Sequence, residues 1–377
     1  MQLGLVGLGK MGGNMRERIR RAGHEVIGYD RDRSVSDASS LADLVKRLEA
    51  PRVVWVMVPS GAPTRETVAK LGDLLDKGDL VIDGGNSKFT DDTENEKMLK
   101  TKGIGYLDCG VSGGIWGLDN GYGLMVGGSA AHVKKAMPIF DALRPEGPRD
   151  EGFVHAGKVG AGHYTKMVHN GIEYGLMQAY AEGYELLQKK DIVENVPGAF
   201  KAWSRGTVVR SWLLDLMVTA LEENPTLEDV SDYTVDSGEG RWTVEEAIAL
   251  SVPMPVISAS LFARFASRQQ SSPTLQAVAA LRGQFGGHQV MTVAEGEQLR
   301  SEAQAGPASA RTAKTKAARK EKPPTTPKEA AAKGRDAAKA GPSSGAGDTT
   351  SSRTGRADTA GPTSGSSSTR KRAAGKS

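Results

Sequence analysis

The sequence has a single cysteine, no long apolar run and no recognisable export signal, and each of these features argues against one class of protein. Cys109 has no second cysteine with which to form an internal disulfide. Since no run of about 18 apolar residues occurs, we expect no transmembrane helix. The first residues, MQLGLVGLG, read as a strand and lack the basic start and cleavage site of a signal peptide. The sequence therefore predicts a cytoplasmic protein that does not enter a membrane.

Charge is divided unevenly along the chain. The formal net charge is +4, but residues 301–377 contain 16 Lys/Arg and 6 Asp/Glu, or +10, which leaves −6 for residues 1–300. Residues 301–377 are rich in Ala, Pro, Ser, Lys and Arg and contain almost no large apolar residue. Such a segment cannot bury enough surface to offset the entropy of ordering. We therefore predict a disordered basic tail over residues 301–377.

Two roles stay open for this tail. The first is a solvated tail that aids solubility or has no function of its own. The second is a nucleic-acid-binding or scaffold role, in which Lys and Arg neutralise phosphates and binding weakens steeply with salt. The tail contains no aromatic residue on which bases could stack. Nucleic-acid contact, if it occurs, is therefore expected to be independent of base sequence.

The first 157 residues alternate between apolar runs and helical patterns. Helical patterns such as residues 63–76 and 91–102 separate most of the runs, and this alternation is typical of a doubly wound, mostly parallel α/β sheet. We predict one α/β domain over residues 1–157. The apolar runs are LGLVG and EVIGYD within the first 30 residues, RVVWVMVP at 52–59, DLVID at 79–83, IGYLDC at 104–109 and GLMVGG at 123–128.

Strand signals stop after about residue 157. RSWLLDLMVTALEEN has apolar residues at the i, i+3, i+4 spacing of an amphipathic helix. We predict an all-α domain over residues 158–300 that binds substrate and forms a dimer. Its predicted helical patterns cover residues 162–190, 197–204, 208–223 and 243–269.

The motif GLGKMG directly follows the first strand and opens a helix. Gly7, Gly9 and Gly12 match G-x-G-x-x-G, with Leu8 and Met11 between them. Gly7 permits the tight turn, Gly9 lets the backbone approach a pyrophosphate, and Gly12 permits close packing of helix on strand. The helix N-terminus favours the negative charge of the phosphates. The context predicts a dinucleotide site, and we therefore interpret residues 1–157 as an NAD(P)-binding Rossmann domain.

Asp30 ends the second predicted strand, 18 residues after Gly12. A carboxylate at this place accepts hydrogen bonds from the ribose hydroxyls and repels a 2′-phosphate. The adjacent Arg31 and Arg33 could contact such a phosphate. We therefore expect NAD to be the preferred cofactor, with NADP possible.

The segment GAGHYTKMVHNGIEYGLMQ, residues 160–178, places polar residues among apolar ones. Lys166, Asn170, Glu173 and Met177 are spaced by four, three and four residues, so in a helix they share one face. Lys166 and Glu173 then lie about two turns, or roughly 10 Å, apart along the helix axis. This separation suits a small molecule held between a base and an acid, although an ordinary helix with one polar stripe has the same pattern.

Several motifs occur together in the order seen in one family. They are VIDGGNS at 81–87, LDCGVSGG at 107–114, GAGHYTKMVHNGIEYG at 160–175 and FGGH at 285–288. With the glycine turn they make residues 1–290 resemble the 6-phosphogluconate dehydrogenases of the β-hydroxyacid dehydrogenase superfamily, in their short bacterial form. The resemblance implies metal-free oxidative decarboxylation of 6-phosphogluconate to ribulose 5-phosphate and CO2, with reduction of NAD(P), in the pentose phosphate pathway.

The resemblance also implies roles for residues of the opening segment. Lys166 resembles the family's base, which removes the proton of the substrate 3-hydroxyl as hydride leaves C3. A lysine base must be neutral in part, and desolvation favours the neutral form. Glu173 resembles the acid that protonates C1 of the enediol left by loss of CO2. Asn170 would orient the substrate and the nicotinamide, and His169 would bond the substrate unless it is a core histidine.

Further residues match the family's binding sites. The phosphate would be bound by Tyr174 and Arg264, and by Arg282 and His288 from the neighbouring subunit, which implies a homodimer. The family's long form has a phosphate-contacting lysine where this chain has Ser237, with Arg241 nearby, and the family lacks the tail. On the Rossmann side, Asn86, Ser112, Gly113 and Gly114 resemble substrate-binding residues, and Asn86 is also expected to contact the cofactor.

One alternative is a related enzyme, a 3-hydroxyisobutyrate-type dehydrogenase or an aldehyde reductase. It would keep Lys166 and Asn170 but would not need Glu173 or the phosphate-binding arginines. The second alternative is a nucleic-acid-binding or scaffold protein in which the dehydrogenase fold is vestigial. The joint presence of Glu173, Arg264, Arg282 and His288 argues against the first alternative, and the intact catalytic set argues against the second.

Overall fold

A computed structural model describes residues 1–286 and 289–304 of the chain. The strands are β1 (Gln2–Val6), β2 (Glu25–Tyr29), β3 (Val53–Val56), β4 (Leu80–Asp83), β5 (Gly105–Ser112), β6 (Gly123–Gly128) and β7 (Phe153–Gly157). The helices are α1 (Lys10–Arg21), α2 (Leu41–Arg47), α3 (Ala62–Leu74), α4 (Phe89–Lys100), α5 (Gly117–Asn120), α6 (Ala130–Leu143), α7 (Ala161–Lys189), α8 (Val196–Trp203), α9 (Trp212–Glu223), α10 (Glu239–Ala249), α11 (Pro255–Ala266), α12 (Pro273–Gly286) and α13 (Val293–Gln304).

The seven strands form one sheet in the order β2-β1-β3-β4-β5-β6-β7. All pairs among β1 to β5 are parallel, β6 runs antiparallel to β5, and β7 is parallel to β6. The predicted doubly wound, mostly parallel sheet is therefore confirmed. Strand β1 lies between β2 and β3, so the order in which successive strands are added to the sheet reverses there. Sheets of this kind bind ligands at the carboxyl edge of such a switch point.

Both faces of the sheet are buried, as expected for parallel strands covered by helices. Alternate residues of β3 illustrate the division: Val53 and Trp55 join one core cluster, while Val54 and Val56 join the other. The first cluster is completed by α1 and α6, and the second by α2, α3 and α4. The near-continuous apolar runs of the sequence thus reflect strands with no solvent-facing side.

Helices α12 and α13 were not predicted, and two of the predicted helical patterns differ from the structure. The pattern at 243–269 is two helices rather than one, because Ser251 has a positive φ of 56° and the following VPMP segment cannot continue a helix. The pattern at 208–223 begins only at Trp212, since the Ser211 hydroxyl accepts the N–H of Leu214 and caps α9 there. The strand β7 was not predicted.

Helix α7 joins the sheet to the helical part. Its N-cap, Gly160, offers no side chain; instead Asp108 of β5 accepts the N–H groups of Gly160 at 2.7 Å and His163 at 2.9 Å. A carboxylate at this end satisfies N–H groups that the helix cannot and complements its dipole. A Cβ on Gly110 of β5 would collide with Lys166, so this glycine permits the close approach of α7.

The predicted tail boundary at residue 301 falls within α13, which continues to Gln304. Residues 305–377 lie outside the described residues, so the disordered tail and its two possible roles stay predictions. Within the described part of the chain, no helix combines the length and the apolar character needed to cross a membrane.

Candidate active site

The glycine turn lies between β1 and α1 at the switch point of the sheet. Gly7 has φ 94°, a conformation that favours glycine, and a Cβ on Gly12 would collide with the Gly7 carbonyl oxygen. A Cβ on Gly9 would meet nothing within 4 Å. The turn therefore leaves open space beside Gly9, directly before the N-terminus of α1, and a helix N-terminus favours an anion. The side chains of Leu8 and Met11 pack in or against the core.

Asp30 follows β2 and faces the glycine turn. Its Oδ2 accepts the N–H of Leu8 at 2.6 Å, and its Oδ1 accepts the N–H of Asp32 at 2.9 Å. The carboxylate thus fixes the turn and stands at the edge where the ribose of a dinucleotide would lie. Arg31 and Arg33 are exposed on the same loop.

Lys166 is buried where α7 crosses the carboxyl edge of the sheet. Its amine donates to Oδ1 of Asn86, in the loop after β4, and to Oε1 of Glu239 at 2.9 Å. Glu239 is the first residue of α10, and its side chain is 2% exposed. The second oxygen, Oε2, is buried without a hydrogen-bond partner. The predicted base is therefore held between the Rossmann part and the helical part of the chain.

The predicted acid lies farther out on the same helix. The Glu173 side chain is 43% exposed, and its Oε2 lies 4.0 Å from Nδ1 of His169. His169 is itself exposed and contacts Oδ1 of Asn170 at 3.0 Å, so it is not a core histidine. The helix places Lys166 and Glu173 about two turns apart, and the Lys166 side chain is buried while that of Glu173 is open to solvent.

The loop after β5 completes this edge of the sheet. Ser112 ends β5, and Gly113 and Gly114 follow with φ of 136° and 54°. The loop is tied to the cofactor turn because the Asn14 side chain of α1 donates to the carbonyl of Ile115 at 3.2 Å. Predicted cofactor and substrate residues of the sheet thus share one edge.

Tyr174 and Arg264 meet on the helical side of the site. The Arg264 guanidinium carbon lies 3.5 Å from the centre of the Tyr174 ring, and its NH1 donates to the carbonyl of Val235 at 3.1 Å. The Tyr174 hydroxyl accepts the N–H of Ser237 at 3.2 Å and lies 3.5 Å from the Ser237 hydroxyl. Tyr174, Ser237 and Arg264 therefore form one polar group, which we call the phosphate corner.

Arg241 is held by partners other than the residues of this corner. It forms an ion pair with Asp236 at 2.6 Å and lies over the ring of Phe265 at 4.4 Å. Arg268 pairs with the same carboxylate. Hydrogen bonds from both arginines, although burial opposes them, hold the pKa of Asp236 well below its usual range. Arg241 is thus committed to a structural ion pair.

Of the two residues expected from a neighbouring subunit, Arg282 lies within the described residues. Arg282 is exposed on α12. His288 lies outside the described residues. Helix α12 is exposed along most of its length, including Leu275 and Leu281 at 67% and 66%.

A buried polar network lies beneath the start of α7. His163 Nδ1 is 2.8 Å from Asp92 Oδ2, and Asp92 Oδ1 accepts the Tyr106 hydroxyl at 2.8 Å. Asp83 accepts from Ser87 at 2.8 Å. Burial opposes a charge on His163, but the charge and hydrogen bond of Asp92, with Asp83 and Asp108 nearby, outweigh it and raise the His163 pKa to about 10. Burial raises the pKa of Asp92.

Three of these residues are of types that bind metals. The candidate ligand atoms of Asp83, Asp92 and His163 lie within 4.8 Å of one another. A charged imidazole cannot ligate a metal, because metal-bound histidine must be neutral. In the structure the imidazole of His163 is paired with Asp92, and its raised pKa describes this ion-pair network.

Sequence reasoning missed Glu239, His163 and Asp92. In DSGEGRW the prediction concerned phosphate binding by Ser237 or Arg241, yet Glu239 is the residue whose side chain accepts a hydrogen bond from Lys166. The sequence does contain a pattern that could have predicted a role for His163. It lies about one helical turn before Lys166, so the two residues share one face of the predicted helix.

Two family descriptions match successive parts of the chain. Residues 2–145 match the NAD binding domain of 6-phosphogluconate dehydrogenase, and residues 162–304 match the 6-phosphogluconate dehydrogenase C-terminal domain. A Haloferax volcanii protein named 6-phosphogluconate dehydrogenase, NAD(+)-dependent, decarboxylating, is 43% identical over 300 residues, which are 77% of this chain and 98% of the relative. The chain belongs to the 6-phosphogluconate dehydrogenase family.

Other members of the 6-phosphogluconate dehydrogenase family are longer. A Bacillus subtilis protein with the same name as the Haloferax one is 35% identical over 286 residues, covering 70% of this chain but 61% of the relative. Among solved structures, the Plasmodium falciparum 6-phosphogluconate dehydrogenase, studied with NADP+ and with 6-phosphogluconate, has a TM-score of 0.66 and 26% identity, over 78% of this chain and 66% of that one. The predicted resemblance to the short form is confirmed, and the sheet is that of a nicotinamide-binding domain.

Proposed function

We propose that this protein oxidatively decarboxylates 6-phosphogluconate to ribulose 5-phosphate and CO2, with reduction of NAD. The observation that carries the proposal is the placement of Lys166 and Glu173 on one helix at the carboxyl edge of the cofactor-binding sheet. Lys166 lies inward, against Asn86 of that sheet. Family membership and the names of the relatives support the same activity.

The oxidation step requires a base and an acceptor for hydride. Lys166 removes the proton from the substrate 3-hydroxyl as hydride leaves C3, and the nicotinamide ring supplies the hydride acceptor. Burial of the amine excludes water, and Asn86 and Glu239 fix its position. Ser112, Gly113 and Gly114 lie at the same edge and would bind the sugar acid through their backbone and hydroxyl groups.

The decarboxylation step requires that charge developing on the 3-keto oxygen be stabilised. The Lys166 amine, now protonated, lies at that end of the substrate and can donate to the oxygen. Loss of CO2 leaves an enediol, whose C1 takes a proton from Glu173 about two helical turns away. Asn170 and His169 lie between the two and would orient the substrate. Because Lys166 supplies the electrophile, we infer that the reaction needs no metal ion.

The substrate phosphate requires cationic and hydroxyl donors. The phosphate corner offers a guanidinium, the Tyr174 hydroxyl and the Ser237 hydroxyl and N–H. Arginine suits phosphate through its paired N–H donors. We infer that Ser237, through its N–H and hydroxyl, takes the place of the long form's lysine, since Arg241 is bound to Asp236.

The second subunit is part of this proposal. Helix α12 exposes Leu275, Val278 and Leu281, a row that recurs every three residues, as on the buried side of a helix. Burial of this row against a second copy would bring Arg282 of one subunit toward the site of the other. We infer a homodimer in which residues 158–300 provide the interface and residues 1–157 bind the cofactor.

The first experiment follows reduced cofactor by absorbance while released CO2 is measured, with 6-phosphogluconate and either NAD or NADP. We expect equal amounts of both products, a preference for NAD and no loss of rate after chelator treatment. Lys166→Met should lower kcat at least about 1,000-fold while the Kd of NAD stays within a factor of three, since a general base contributes about 10²–10⁴.

Other outcomes would contradict the proposal in distinct ways. Cofactor reduction without CO2 would remove Glu173 from the mechanism and indicate a simple hydroxyacid dehydrogenase. Turnover of a non-phosphorylated hydroxy acid in place of 6-phosphogluconate would contradict the assignment of the phosphate corner as the site that binds the substrate phosphate. Full activity of the Lys166→Met protein would remove Lys166 as the base.

A further inference from the structure

Lys166 faces a contradiction in its surroundings. A base must be neutral before it takes a proton, yet the amine is bound at 2.9 Å to a carboxyl group that would hold it as an ammonium ion. Both side chains are buried, at 11% and 2% exposure. Bulk water is therefore poorly placed to remove the ammonium proton, so another group must accept it.

We propose, building on the function above, that Glu239 is the proton partner of Lys166 and accepts that proton within the closed site. The transfer breaks one N–H bond of the Lys166 ammonium and forms one O–H bond on Oε1 of Glu239. The pair changes from ammonium and carboxylate to amine and carboxylic acid, with no change in total charge. The neutral amine can then take the proton of the substrate hydroxyl.

The unpartnered Oε2 of Glu239 favours this transfer. A buried carboxylate oxygen without a hydrogen bond is costly, because the anion has lost its water without replacement. The carbonyl oxygen of a carboxylic acid carries less charge and costs less when it is buried. The position of Glu239 at the start of α10 acts in the opposite sense, since a helix N-terminus favours an anion. The two effects oppose each other and leave both forms accessible.

Groups around the pair are mostly uncharged. Asn86 faces the amine from the loop after β4, and β5 approaches the Lys166 side chain at the backbone of Gly110. On α10, Thr243 donates to backbone carbonyls. Charged groups on the neighbouring elements have other partners. Asp108 of β5 caps α7, and Asp83 of β4 lies in the network with His163. On α10, Arg241 pairs with Asp236 and Glu245 pairs with Lys88, while Glu173 and His169 of α7 are exposed to solvent.

The direction of one pH shift tests the proposal. If the pair shares a proton, activity is lost in acid only when a second proton binds, which occurs in the range of a carboxyl group. Glu239→Gln removes the acceptor, so the Lys166 proton must go to solvent and the acid limb of kcat moves up by at least about 2 pH units, toward the range of a free amine. At pH 7 we expect kcat to fall about 100-fold or more, with partial recovery at pH 9.

Other roles for Glu239 give other results. A carboxylate that only stabilises the ammonium would make the acid limb move down in Glu239→Gln. A purely structural role would lower kcat at every pH and leave the limb in place. Either result, or an unchanged enzyme, would overturn the proposal. Glu245→Gln is the matched control, because Glu245 lies on the same helix and pairs with Lys88 at 3.1 Å at the surface; its profile should match that of the unaltered protein.

A second measurement needs neither substrate nor the variant. Acetic anhydride acylates only neutral amines, and mass spectrometry gives the rate at Lys166 as a function of pH in the unaltered full-length protein. We expect the acylation rate at Lys166 to change less than about threefold between pH 8 and pH 6, because the proton stays within the pair, whereas the rate at a lysine without a proton partner falls about 10-fold per pH unit. A fall of about 10-fold per pH unit at Lys166 would overturn the proposal. Failure of 6-phosphogluconate to react would count against the proposed function alone, since this labelling would still give its answer.

Discussion

Nδ1 of His163 lies 2.8 Å from Oδ2 of Asp92, and both side chains are buried. The pair joins α4 to α7 one turn before Lys166, so it fixes the helix that carries the proposed base. A buried ion pair contributes little by itself, but removal of one partner leaves an uncompensated charge. The pair is therefore a sensitive point of the fold.

We expect His163→Gln or Asp92→Asn to lower the free energy of unfolding by about 3–5 kcal/mol at pH 7. The folded-state pKa of His163, about 10, lies above the unfolded value near 6.5, so its contribution is complete below pH 6.5 and is lost as pH rises through about 10. Urea unfolding at pH 7 and pH 10.5 measures this. His24→Gln, at a partly exposed histidine outside the buried network, is the control, and equal losses at both pH values would contradict the expectation.

Asp30 is expected to set the choice between NAD and NADP. Asp30→Asn keeps an oxygen for the Leu8 N–H but removes the charge, whereas Asp30→Ala removes both. Both changes should shift the ratio of kcat/KM for NADP over NAD upward about 10-fold, equal to about 1.4 kcal/mol. Only the alanine should also weaken binding of both cofactors. Asp32→Ala is the control on the same loop, and an unchanged ratio in Asp30→Ala would count against the assignment.

Two glycines of the cofactor turn should respond differently to alanine. Gly9 has open space around a Cβ and a φ of −60°, so Gly9→Ala should fold normally and lose NAD binding at least about 10-fold, because the methyl group occupies the pyrophosphate position. Gly12→Ala collides with the Gly7 carbonyl and should also lower the Tm by several degrees. Calorimetry and NAD titration separate the effects. Normal NAD affinity in Gly9→Ala would exclude this site for the pyrophosphate.

Arg264 should act on substrate binding rather than on the cofactor. Arg264→Ala removes the guanidinium from the phosphate corner, and we expect KM for 6-phosphogluconate to rise about 10–100-fold, the loss of one charge-assisted pair of hydrogen bonds. The Kd of NAD should not change. Arg205→Ala, at an exposed arginine elsewhere in the helical part, is the control. A KM within a factor of two would place the phosphate elsewhere.

The exposed row on α12 should control assembly. Leu281→Asp introduces a charge into the proposed interface, and we expect light scattering to show a monomer at concentrations where the unaltered protein is a dimer. Activity should fall with it, because Arg282 no longer reaches a neighbouring site. Gln276→Asp, on another side of the same helix, should leave the dimer intact. A dimeric and active Leu281→Asp protein would move the interface away from α12.

Sequence reasoning predicted the sheet more completely than the site. Buried parallel strands such as Val53–Val56 are short apolar runs that stand out locally, and a glycine turn after the first of them fixes the cofactor edge. Prediction was less complete at residues 251–255, where one predicted helix is two. The break between α10 and α11 depends on a positive φ at Ser251, which the sequence pattern does not reveal, as well as on the prolines.

The partners of the site residues could not be predicted in the same way. Glu239 is separated from Lys166 by 73 positions, and His163 from Asp92 by 71. Nothing local distinguishes a carboxylate that will be buried from one that will face solvent. Burial is decided by how α10 and α4 pack on α7, and only that packing gives these residues their chemistry.

The glycines that bring neighbours close to α7 limit how the protein can be stabilised. Exchanging a helical glycine for alanine ordinarily gains about 1 kcal/mol, but Gly171 and Gly175 have Thr243 and Val256 where the methyl group would go. The same helix contains Gly183, around which a Cβ would meet nothing within 4 Å. Among the glycines of this helix, Gly183 is therefore the one at which alanine can raise thermal stability without a collision. It lies about three turns beyond Glu173, the last of the proposed catalytic residues on the helix.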